Sequence, residues 1–131
     1  MGRRNCRDCI FKLVYQSMFS EDFAAHEALE TIAEGLELEE QKYVLDSFAS
    51  LQENLETIKD VIAKATEGYD IKRIYKVDLA ILIVAVFEIN YLKEPIPVII
   101  NEAVELAKKY SNEKSPSFIN GVLSKIVNNK E

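Results

Sequence analysis

The chain has no tryptophan, one histidine, two cysteines, three prolines and four glycines in 131 residues. With so few breakers there is little to punctuate an array of short strands, and the remaining residues are mostly helix formers. Cys6 and Cys9 form a lone C-x-x-C. A zinc site needs two more ligands, and His26, the single histidine, lies far off in an acidic stretch. No strand pattern precedes the pair, as a thioredoxin-like motif requires. Both cysteines fall on the apolar side of a helical wheel, so core packing is expected. His26 has no placed partner for a catalytic dyad and is expected on the surface. The glycines spell neither G-x-x-x-x-G-K-[ST] nor G-x-G-x-x-G, which removes the common nucleotide-phosphate cradles. H-E-x-x-H and the nucleophile elbow are also missing. Glu102 and Glu105 read as solvated charges on a surface-patterned helix. No enzyme, cofactor or metal is expected.

Long apolar runs are missing too. The most hydrophobic stretch, Val77 to Leu92, contains Asp78, Glu88 and Asn90 and falls short of the roughly 20 residues a membrane span needs. Met1 is followed by Arg3, Arg4 and Arg7 without an apolar segment, so no secretory signal is read and a cytoplasmic protein without membrane contact is expected.

What is present is helical periodicity. Hydrophobic residues make up 48% and charged residues 29% of the chain, a balance suited to one globular domain. The apolar spacing predicts an all-α fold of about seven helices in two small packed subdomains, about 1–66 and 67–131. The first helix runs from Arg3 to Met18. Ser20 caps a second, which Gly35 stops. A third covers Glu39 to Gln52, and a fourth carries Leu55, Ile58, Val61, Ile62 and Ala65 before Gly68. Residues 69–73 read as a polar connector. A buried helix spans Val77 to Tyr91. Pro97 opens the sixth in its first turn, and Ser115 caps the seventh with Pro116 at its first position. Gly121 inside the last helix predicts a close backbone approach there.

Charge is unevenly spread. Residues 1–16 sum to +3, residues 21–60 to −10 and residues 61–131 to +1, within a net charge of −6. A basic tip on an acidic protein is the footprint of a local nucleic-acid site. On the first helix Cys6, Cys9, Ile10, Leu13, Val14 and Ser17 form the core stripe. Arg3, Arg4, Arg7, Phe11 and Tyr15 fall on an adjoining face, where cations can pair phosphates and aromatics can stack unpaired bases. Phe11 is also placed to wrap into a neighbouring helix, which makes Tyr15 the better RNA candidate.

The segments Ile100-Asn101-Glu102-Ala103-Val104-Glu105-Leu106-Ala107-Lys108-Lys109-Tyr110 and Phe118-Ile119-Asn120-Gly121-Val122-Leu123-Ser124-Lys125-Ile126 resemble the NusB family of bacterial transcription antitermination factors. So do Asp78-Leu79-Ala80-Ile81-Leu82 and the stretch from Arg3-Arg4 to Tyr15, all in order and correctly spaced. The resemblance implies an all-α fold of two helical subdomains. It also implies binding of boxA-type leader RNA together with the ribosomal protein NusE, and association with elongating RNA polymerase and other Nus factors. Carried over by position, the RNA surface comprises Arg3, Arg4, Arg7 and Tyr15, with Ser117 and Phe118 at the start of the last helix. Asp78 matches an acidic position at the partner face. The chain departs from the family at Leu79 and Ile83, where basic residues are common, which implies a smaller basic surface. A protein-interaction scaffold without direct RNA contact is the alternative reading.

Overall fold

A computed structural model of the chain describes residues 3–33, 35–66, 70–92 and 94–128, the side chains of Arg3 and Arg4 excepted. Seven α-helices and one 3-10 turn occur among these residues, and no strand. The helices are α1 (Arg3–Ser17), α2 (Ala25–Ile32), α3 (Leu38–Glu53), α4 (Leu55–Ala65), α5 (Lys76–Tyr91), α6 (Ile96–Tyr110) and α7 (Ser115–Asn128). None is long and apolar enough to cross a membrane.

The chain divides into two compact units, the first ending at Glu53 and the second starting at Asn54. The break expected near residue 66 therefore falls one helix earlier. The reason is packing: α4 contacts α5 and α7, and so belongs with the second unit. In the first unit α1 packs on α2 and α3. Leu13, Val14, Leu29, Val44, Phe48 and Leu51 are buried there. Cys6 and Cys9 join that core without forming a disulfide, 3% and 6% exposed. Burial, followed by the neighbouring Asp8, pushes the Cys9 thiol up from its ordinary value. No group of three or more potential metal ligands occurs among the described residues.

In the second unit α5 is buried continuously from Asp78 to Ile89. A helix that is apolar all round belongs in a core, and α4, α6 and α7 pack against it.

The ends of several helices depart from the expected punctuation. Ser20 does not cap α2. Its hydroxyl accepts from Asp22 N–H at 3.3 Å in a preceding turn, and α2 begins five residues after Ser20. Gly35 lies past the end of α2 with φ +88°, a left-handed conformation that glycine adopts without a Cβ clash. Glu40 reaches back to accept from Glu37 N–H at 3.0 Å, half of a capping box that starts α3. The polar connector contains a 3-10 turn at Ile71–Arg73, where the Asp70 carboxylate accepts from Lys72 N–H at 3.0 Å. Gly68 and Tyr69, expected to end α4 and open that connector, lie outside the described residues.

Candidate nucleic-acid interface

The candidate residues fall into two patches, one per unit. In the first unit Arg3, Arg7, Phe11 and Tyr15 follow one another at four-residue spacing along α1 and so share a face. Phe11 is 3% exposed, half-buried Tyr15 stacks on it at 6.3 Å, and Phe19 meets Tyr15 edge-on at 5.0 Å. Phe19 is 59% exposed. The ring ladder thus climbs from core to solvent, and its outermost member escaped the sequence reading because it lies beyond the end of the helix. Its four-residue spacing from Tyr15 was the available signal.

Arg7 corrects the expectation of a solvent-facing cation, since it is only 5% exposed. A wheel places it beside the core stripe but does not show what covers that flank. Lys12, on the same helix, pairs with Asp8 at 3.3 Å. Arg3 and Arg4 are in helical backbone, and their side chains lie outside the described residues.

The second patch is the first turn of α7. Ser115 was expected to cap this helix, but its hydroxyl points inward and the residue is 1% exposed. Asn112 closes the preceding turn instead: its Oδ1 accepts from Lys114 N–H at 2.9 Å and its carbonyl accepts from Ser115 N–H at 3.1 Å. Ser117 is exposed and Phe118 half-buried.

What holds this turn is Asp78. Ser111 Oγ donates to its Oδ1 at 2.6 Å, and Ser115 Oγ donates to its Oδ2 at 2.9 Å. Ser111 closes the end of α6 and Ser115 begins α7. One carboxylate in the first turn of α5, where the helix dipole also favours it, ties down the α6–α7 connection. Asp78 is 5% exposed. It therefore has little surface to offer a partner, against the expectation of a partner-facing charge.

Beside the turn, a groove of about 610 Å³ lies between α6 and α7. Ile96, Pro97, Ile100, Val104 and Pro116 form its apolar walls, and Asn101, Ser117 and Asn120 are its polar lining. Gly121 does not mark a close approach, because a Cβ built there would meet nothing within 4 Å.

With the helical fold, an α5 buried from Asp78 to Ile89 and the α7 turn in place, the sequence profile of the NusB family matches residues 4–128. The chain belongs to the NusB family. It is 44% identical over 130 residues to the transcription antitermination protein NusB of Acetivibrio thermocellus, across 97% of this chain and 89% of that protein. The structure of T. maritima NusB is similar with a TM-score of 0.89 at 32% identity, covering 98% of this chain and 94% of that one. A structure of the antitermination factors NusB and NusE in complex with double-stranded RNA matches with a TM-score of 0.84 at 26% identity, covering 96% of each chain. The two departures from the NusB pattern are core positions here, Leu79 being 8% and Ile83 1% exposed. A lysine or arginine at Ile83 would have to be desolvated in an apolar helix.

Proposed function

We propose that this chain is a non-enzymatic, RNA-binding transcription antitermination factor. It binds boxA-type leader RNA together with the ribosomal protein NusE and acts in the cytoplasm on elongating RNA polymerase with other Nus factors, notably during ribosomal RNA transcription. The observation that carries this reading is whole-length likeness to a chain solved with NusE and RNA. The basic tip supports it, because phosphate contacts supply most of the affinity of such proteins.

In this reading Arg3 and Arg4 meet phosphates, and Tyr15 offers a ring with a polar tip to an unpaired base. Ser117 and Phe118 form the second contact on the α7 turn. Arg7, being buried, supports α1 and leaves the phosphate contacts to its two neighbours. Asp78 serves partner and RNA alike from beneath, by holding the α6–α7 connection in one conformation.

The scaffold reading, without direct RNA contact, draws on the same burial of Arg7 and on the apolar residues at 79 and 83. Titration of the RNA at increasing salt separates the two. Direct phosphate contact makes the logarithm of affinity fall linearly with the logarithm of salt, whereas a scaffold gives no saturable RNA binding by the chain itself.

A further inference from the structure

We propose that the groove between α6 and α7 receives one unpaired nucleotide of the bound RNA, with Asn101 and Asn120 reading the edge of its base. This rests on the RNA-binding reading above. The groove has the size of a small-ligand pocket, about 610 Å³, and the pattern of one: apolar walls with a few convergent polar groups. Its walls are aliphatic side chains and proline rings, which pack against the flat face of a base. Its polar lining is two carboxamides and one hydroxyl, all on exposed residues. Each carboxamide pairs a donor with an acceptor, the arrangement that recognises a base edge through two hydrogen bonds. No charged residue lines the groove, and α7 carries no Asp or Glu. On α6, one turn from Asn101, Glu105 is paired with Lys108 at 3.3 Å, which lowers its repulsion of a phosphate backbone at the groove's edge. Ser117 belongs both to the groove and to the first turn of α7, so a strand that contacts this turn also borders the groove.

The test uses the full ¹⁵N-labelled chain and follows the side-chain amide signals of Asn101 and Asn120. Addition of boxA-type RNA is expected to shift both signals saturably. Asn101→Ala combined with Asn120→Ala is expected to weaken binding about tenfold, from the loss of a base-edge pair, with no change in melting temperature. Removing the base at a single RNA position is expected to weaken the parent and to have no further effect on the double variant. If the RNA binds while both signals stay in place, the proposal is overturned and RNA binding stands. If NusE alone shifts them, the groove is a protein site and the proposal is likewise overturned. If the parent does not bind the RNA at all, the RNA reading falls and takes the proposal with it.

Discussion

At the scale of single residues, the buried polar groups carry the most consequence. Asp78 accepts hydroxyls from both sides, so Asp78→Ala deprives Ser111 and Ser115 of their acceptor in one step. Hydrogen bonds to a charged group contribute about 1.5–3 kcal/mol each. A loss of about 3 kcal/mol is expected in urea denaturation, with Asp78→Asn intermediate. Arg7 and Arg4 should separate in the same assay. Arg7→Ala removes a long buried stem and is expected to cost about 1–3 kcal/mol. Arg4→Ala is expected to leave stability unchanged and weaken RNA binding. Cys9 supplies a pH dependence. Its thiol is raised above 9.0 in the folded chain, so the unfolded chain ionises first. The associated stability is complete below pH 9.0 and declines as pH rises through the folded value. Cys9→Ala should flatten that alkaline decline in denaturation curves. Sequence reading located Cys6 and Cys9 correctly because apolar residues on a stripe are buried almost by default. It did not show the burial of Arg7 and Asp78, because a charged side chain is assigned to solvent unless its partners are known, and Ser111 and Ser115 lie more than thirty residues from Asp78.

At the scale of elements, all seven α-helices among the described residues were legible, six from a stripe repeating at the α-helical period and α5 from a long, almost unbroken apolar run. The ends were less legible. Ser20 and Ser115 are both good capping residues, yet one caps an isolated turn and the other donates to Asp78. A sequence shows which residues are able to cap, not which acceptor or donor will compete for them. Gly121 teaches the same lesson. A glycine inside a helix suggests crowding, but here it stands on the exposed side with open space around it. Gly121→Ala is therefore expected to stabilise the protein by about 0.5–1 kcal/mol in chemical denaturation, through helix propensity and reduced freedom of the unfolded chain. Half-buried Phe118 separates packing from recognition. Phe118→Ala is expected to cost less than the roughly 3–5 kcal/mol of a fully buried Phe and to lower RNA affinity per folded molecule. A full-sized stability loss with unchanged RNA affinity would assign the ring to the core alone.

At the scale of the whole molecule, composition and spacing were sufficient for the helical class, and family resemblance carried the function. The division into two units was visible only approximately. Gly68 is the obvious punctuation in the sequence, whereas packing allots α4 to the second unit. Charge asymmetry pointed to the N-terminal end, but the groove on α6 and α7 left no sign in charge or motif, because uncharged carboxamides and aliphatic walls look like any helix surface. The most direct measurement for the central claim is a titration of boxA-type and scrambled RNA, with and without NusE, at several salt concentrations. The expected result is tighter binding of the boxA-type RNA, further tightening by NusE, and a linear fall of log affinity with log salt. Equal affinity for both RNAs, with no response to NusE, would contradict it.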